Sequence, residues 1–348
     1  MREIRTGSAL GLMSIMGLHG VGPATAFKLA CAFRTFDEML SAPAEAFKGV
    51  ATEPNRKLLT NEIGALSRSV DTARAEIAKA EELGASVISL FDPEYPARLA
   101  GVQDRPLVLY VSGDLSILDR SVACVGTRNP SEFGEIVAGR MSCALAEAGW
   151  NIVSGLANGI DAIAHEAALR SGAKTVAVIG SGIDTYQSRS SIEMLERILE
   201  EGGAVLTEQP LGRRADPASL VRRNRIQTGV SVATFVMQCD LESGTMHTVR
   251  YALHQGRPVL APMVPDRFAS EPANQGTVTM LRFTGPELAE HLVPAPSKQL
   301  RKILEEEFAD RPVARGIAGK DAYPEILRDL ESWRTGETAR APYAPALT

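Results

Sequence analysis

Asp161 and His165 stand four residues apart in "NIVSGLANGIDAIAHEAAL" (151–169), directly after the glycine-spaced run 154–159. A carboxylate and an imidazole one helical turn apart share a face and can share a proton. A glycine loop that enters a helix can cradle phosphate through its amides. Three readings compete: a catalytic dyad on a nucleotide site, a lattice that shapes a backbone-binding loop, and packing alone. A dyad needs a nucleophile or a leaving-group contact, and the sequence offers neither. Asp161 falls in the first helical turn, where a carboxylate satisfies free amides and suits the helix dipole. His165 lies one turn on, in reach of Asp161 or a neighbouring loop. The pair is therefore expected to prop the 154–159 loop, leaving its amides facing a phosphate. No catalytic residue, and hence no enzyme activity, is expected.

Four further loops carry similar chemistry: "GTRNPS" (126–131), "GSGIDT" (180–185), "EQPLGRR" (208–214) and "QCDLESGTMHT" (238–248). Taken singly they are weak signals. "GSGIDT" has Thr185 where the dinucleotide fingerprint needs its third glycine, and no GxxxxGK[ST] occurs. Ser154 lacks the GxSxG elbow of an α/β-hydrolase. "ESGTMHT" brings hydroxyls and amides to a helix start, which suits holding a phosphate. Candidate phosphate contacts are accordingly Ser154, Gly155 and Asn158 in one loop, Gly180 and Gly182 in another, and Ser243, Gly244 and Thr245 in a third.

The elements that position these loops are legible. β-branched apolar runs at 121–126, 151–153, 174–179, 203–207, 232–237 and 257–261 alternate with helical patterns near 132–148, 159–171, 190–201, 218–229 and 245–255. Near-continuous apolar strands separated by helices imply a parallel sheet covered on both faces. The handedness of crossovers makes it a doubly wound, mostly parallel α/β Rossmann-like sheet. All five loops then lie outside the carboxyl ends of the strands, as one anion-friendly groove. "ASVISLFDPEYPARL" and "PLVLYVSG" add edge strands. A small helical domain is expected over 1–65, with the Rossmann-like domain over 66–295. A short helical extension with a frayed tail follows over 296–348. In the first, "GLHGVGPATAFKLACAF" resembles a helix-hairpin-helix turn, although the absence of Lys and Arg from the turn Gly20-Val21-Gly22-Pro23 itself favours a spacer or protein-interaction role.

Composition narrows the classes. The 348 residues carry a net charge of −5 and are 45% hydrophobic, so any nucleic-acid contact is local. The densest basic cluster, "RRADPASLVRRNR" (213–225), holds five arginines against one aspartate. No membrane span, signal peptide, metal site or cofactor is expected. The four scattered cysteines read as buried free thiols of a reducing cytoplasm.

These motifs, in order and spacing, carry a resemblance. "YPARL…DRPLVLYVSG…VACVGTR", "VSGLANGIDAIAHEAAL", "TVAVIGSGID", "TEQPLG", "RRNRIQTGVS" and "ESGTMHTVRYALHQGRPVLAP" are similar to the DNA-processing protein A (DprA/Smf) family over about residues 93–262. The resemblance implies an extended Rossmann-like domain that binds single-stranded DNA, forms a homodimer and loads a RecA-type recombinase during transformation, without established catalysis. By matching positions it places Gly126, Thr127 and Arg128 on a phosphate-binding turn and Arg214 on a basic DNA contact. It places Arg223, Asn224 and Arg225 on an Arg-Asn-Arg motif, one of whose arginines fits an ion-pair network better than DNA. Ser243, Gly244 and Thr245 match its Ser-Gly-Ser turn. The chain departs from the family at Asn158, where a basic residue is usual, at Tyr186-Gln187 for Tyr-Pro, and at Leu220 for an aromatic. "APMVPD" replaces Pro-Gly, and no winged-helix pattern follows. The alternatives are a nucleotide or small-ligand sensor or a nucleotide-cleaving enzyme of a related Rossmann-like family, and a scaffold acting through its terminal helices.

Overall fold

In the computed structural model, which describes residues 3–61, 63–185 and 188–337, one nine-stranded sheet organises the molecule. Its strands are β1 Ser86–Ser89, β2 Val108–Gly113, β3 Ser121–Val125, β4 Asn151–Ser154, β5 Thr175–Val178, β6 Ala204–Thr207, β7 Thr234–Val236, β8 Val259–Pro262 and β9 Ala314–Ile317. They are ordered β1-β2-β6-β5-β4-β3-β7-β8-β9. From β6 to β9 every pairing is parallel; β2 pairs antiparallel with both β1 and β6. The chain winds outward from β3 to β6 on one side and from β7 to β9 on the other, so the topological switch lies between β3 and β7.

The helices used below are α1 Ala9–Met16, α2 Pro23–Ala32, α3 Ile63–Glu82, α4 Glu132–Glu147, α5 Ile160–Arg170, α6 Arg189–Glu200, α7 Pro217–Arg222, α8 Asn224–Val230, α9 Gly244–His254, α10 Gln275–Arg282, α11 Lys298–Glu307 and α12 Tyr323–Thr335. Residues 121–125 are buried on both faces of the sheet, as a covered parallel strand requires. On one face Val122, Cys124 and Ile152 pack with Ala138 and Met141 of α4, Ala164 of α5 and Ile326 of α12. On the other, Val153, Val176 and Val178 pack with Leu99 and Ile226. The N-terminal helices close over Leu107 and Val108 through Leu12, Ile15, Leu29 and Phe36.

Four expectations need correcting. The boundary expected at residue 65 falls inside α3. The helix expected over 218–229 is two helices, parted at Arg223, whose side chain runs inward. The extension after 295 is not helical alone: β9 pairs with β8 and completes the sheet. Cys31 is exposed and Cys143 half-buried, whereas burial pushes the thiols of Cys124 and Cys239 up to about 12. Tyr186-Gln187 and the tail from 338 lie outside the described residues. Among the described residues no helix is long and apolar enough to cross a membrane.

Candidate nucleic-acid interface

The loop after β4 is built around two buried charges. Asp161, in the first turn of α5, accepts from the amides of Gly155 at 3.1 Å and Ala157 at 3.4 Å. Leu156, between them, is held at φ +60°, a left-handed conformation that costs a branched side chain about 1–2 kcal/mol. Ser154 is buried and donates its hydroxyl to the Cys124 carbonyl at 2.7 Å, joining β4 to β3. Gly159 has φ +77°, and a Cβ there would lie 2.5 Å from the Arg128 carbonyl oxygen, so only glycine lets the β3 and β4 loops meet. The Ile160 amide closes the seam on the Thr127 carbonyl at 3.1 Å.

Arg223 supplies the second charge. Its Nη1 donates to the Val178 carbonyl at 2.8 Å, and its Nη2 lies 3.6 Å from the Asp161 carboxylate. The guanidinium lies where a Cβ on Gly155 would be, 1.4 Å from Nη1, so residue 155 has no room for a side chain. Burial raises the Asp161 carboxyl above its ordinary value, while Arg223 and the loop amides pull it back. Burial likewise lowers Arg223, with Asp161 opposing. Removing one partner of such a pair typically costs about 3–5 kcal/mol.

His165 has a different task from the one its spacing implies. Its Nδ1 lies 2.7 Å from the Thr175 hydroxyl, which itself donates to the Ile152 carbonyl at 2.8 Å. The hydroxyl proton is thus committed, Nδ1 must carry a proton as donor, and the ring is neutral. Burial, with Arg223 adding, pushes its pKa down to about 3. Asp161 braces the 154–159 loop; His165 instead ties α5 to β5.

Arg225 is 1% exposed and lies between Glu208 at 2.5 Å and Asp104 at 3.2 Å. Asn224 donates to the Gly244 carbonyl at 3.4 Å. The Arg-Asn-Arg segment therefore fastens three neighbouring loops from inside, and both arginines, not one, are spent on ion pairs. Gly180 and Gly182 are corrected similarly. Both are buried, and the Gly182 amide donates to the Arg213 carbonyl at 2.8 Å while Gly212 donates to Asp184 at 2.8 Å. The β5 and β6 loops bind each other. Thr245 is buried, and the Ser243 hydroxyl donates back to the Asp240 carbonyl at 2.7 Å.

Of the five arginines in 213–225, Arg213 pairs with Asp216 and Arg222 with Glu208. Only Arg214 is exposed without an ion pair among the described residues. Arg128 is likewise exposed and unpaired, close enough to Arg223 to oppose its charge. Asn158 and Gly244 are exposed on the same rim, whereas Gly126 and Thr127 are half-buried. Of the helices that start between these groups, α9 has no side-chain cap and begins at the exposed Gly244, so it turns its positive dipole end outward. At the buried start of α5, by contrast, the Ile160 and Ala162 amides are taken by the Thr127 and Ala157 carbonyls at 3.1 Å each. α4 and α7 are capped by Ser131 and Asp216.

The switch point itself is filled. The Gln238 side chain accepts from the Ser131 amide at 2.9 Å and donates to the Ser131 hydroxyl and to Asn274, each at 2.7 Å. The Thr127 amide is taken by the Gln238 carbonyl at 2.8 Å. A nucleotide phosphate would need these amides. Sequence spacing carries no signal for the network, since its members lie 36 and 107 residues apart. No group of three metal-ligating side chains occurs among the described residues.

Comparison with known proteins agrees with this architecture. Residues 86–292 match the profile of the family described as DNA recombination-mediator protein A. Protein Smf of Escherichia coli is 41% identical over 169 residues, 48% of this chain and 45% of that one. DNA processing protein DprA of Bacillus subtilis is 33% identical over 187 residues, 53% of this chain and 63% of that one. The chain spans about half the length of the curated relatives it matches. The X-ray structure of DprA from Streptococcus pneumoniae superposes with a TM-score of 0.62 at 23% identity, over 81% of this chain and 99% of that one. DNA processing protein A from Helicobacter pylori, described for its single-stranded DNA binding mode, superposes at 0.54 and 24% identity, over 70% and 96%. The two structures share the fold, and the profile match covers more than half of the sequence: the chain belongs to the DNA recombination-mediator protein A family.

Proposed function

We propose that the protein binds single-stranded DNA by its phosphate backbone along the carboxyl rim of the sheet and acts in DNA recombination. The observation that carries the reading is the pairing of two unneutralised arginines, Arg128 and Arg214, with the uncapped start of α9, on loops locked from below. Amides and guanidinium groups hold phosphate without reading bases. The filled crevice between β3 and β7 tells against a free nucleotide as the ligand. Homodimer formation and delivery of a RecA-type recombinase to the bound strand complete the proposal; both are drawn from the family.

The test is fluorescence anisotropy with oligo-dT across a salt series. Each phosphate neutralised on a single strand contributes about −0.7 to the slope of log affinity against log salt, so two free arginines imply about −1.4. Absence of salt-sensitive binding at micromolar protein would end this reading.

A further inference from the structure

The register of the edge strands extends the rim beyond the loops described above. Ser89 of β1 pairs with Val108 of β2, and Tyr110 pairs with Thr207 at the end of β6. The carboxyl end of β1 therefore lies on the same rim as Arg214, two strand spacings or about 10 Å further along. Phe91 follows it, 38% exposed. Its ring stacks on Phe27 with centroids 6.0 Å apart at 16°, and the Arg105 guanidinium lies 4.8 Å from the Phe27 centroid. A Cβ on Gly7 would lie 3.1 Å from the Phe91 ring, so the ring rests close against backbone.

Arg5 and Arg34 line the same cavity of about 460 Å³ as Phe91 and Gly7. Both are exposed, and neither has an ion pair among the described residues. Their backbone is fixed: Arg5 bridges Thr35, and the Thr6 amide donates to the Arg34 carbonyl at 3.0 Å. The nearby carboxylates are spent on backbone, Glu38 on the Arg34 amide at 2.7 Å and Asp92 on the Ser89 amide at 2.7 Å. A partly exposed aromatic ring that lines one cavity with two unneutralised arginines is the chemistry that holds a base and its flanking phosphates in single strands. In the groove at 126–245, Leu220 stands at the family's aromatic position and is half-buried against Gly180, so that position offers no stacking platform.

We propose that this junction is a second single-stranded nucleic-acid subsite, stacking one base on Phe91 with phosphates on Arg5 and Arg34. It takes its ligand from the proposed function and continues the strand path from Arg214. The experiment compares wild type, Phe91→Trp, Phe91→Ala and the double variant Arg5→Ala/Arg34→Ala, using an oligo-dT ladder of increasing length. Oligomers long enough to pass Arg214 should quench the emission that Phe91→Trp adds over wild type. Phe91→Ala should remove about tenfold in affinity for long oligomers and leave short ones unchanged. The double variant should make the long-oligomer salt slope shallower by about 1.4. Unchanged emission from the introduced indole with intact rim binding overturns the subsite and leaves the proposed function standing. Failure of wild type to bind any oligomer overturns both. Quenching by polyglutamate in place of oligo-dT marks an acidic-peptide site and also overturns it. Phe91→Trp keeps the aromatic stack, so a variant that melts like wild type yields an interpretable emission.

Discussion

The segment 213–225 and the turn 126–128 make an instructive pair. The first holds five arginines and leaves one of them, Arg214, without an ion pair; the second holds one arginine, Arg128, and leaves it free. Density of positive charge in the sequence is thus a poor measure of charge available to a ligand. The buried carboxylate of Asp161 and the half-buried one of Glu208 convert Arg223 and Arg225 into fasteners, because an arginine fork satisfies several acceptors at once. The exposed pair stays unneutralised because no carboxylate among the described residues reaches it.

The largest test of this contrast is Arg223→Ala. It leaves Asp161 buried and unpaired and should cost about 3–5 kcal/mol in urea denaturation. A variant of unchanged stability that has lost DNA binding would erase the distinction between fastener and contact. Next in size is the acid sensitivity of His165. Its folded pKa, near 3, lies below its ordinary 6.5, so the folded state binds fewer protons than the unfolded one. The contribution is complete above pH 6.5 and is lost as pH falls from there towards 3, at up to about 1.4 kcal/mol per pH unit. Denaturation midpoints for His165→Asn should fall less steeply than wild type over that window, whatever its stability at neutral pH.

Smaller effects belong to the rim. Arg128→Ala and Arg214→Ala should each make the salt slope about 0.7 shallower and weaken oligo-dT binding. Their stability should change by no more than about 0.5 kcal/mol, since neither side chain holds a structural partner. A melting shift as large as that of Arg223→Ala would put them with the fasteners. The smallest change expected is a gain: Asn158→Lys adds a third free cation beside Arg128 and should steepen the slope by about 0.7, measured in the same titration.

Much of the architecture was legible because its physics is local. Runs such as 121–126 and 174–179 are apolar on both faces, and only a covered parallel strand accommodates that. The short edge strand β9 was not legible: four residues including Arg315 and Gly316 carry no apolar alternation, and their place comes from pairing with β8. The candidate site divides the same way. Asp161 at a helix start announces its bonds to the 154–159 amides, because its partners are four to six residues away. The Thr175 partner of His165 and the Gln238 plug lie on other strands or loops, where spacing has no say. Phe91, Arg5 and Arg34 form one patch from segments that share no motif.

What the sequence determined by itself was the order of strands and helices, the set of loops at the carboxyl rim and the family to which they belong. Periodicity and turn chemistry act within a few residues, and the motif order is written along the chain. Tertiary structure alone decided which arginines face solvent. Burial next to Asp161 or Glu208 depends on which loops the sheet brings together, and a charge out of water must find a partner or be excluded. Arg223 and Arg225 found partners; Arg128 and Arg214 remained in water, free to meet a phosphate.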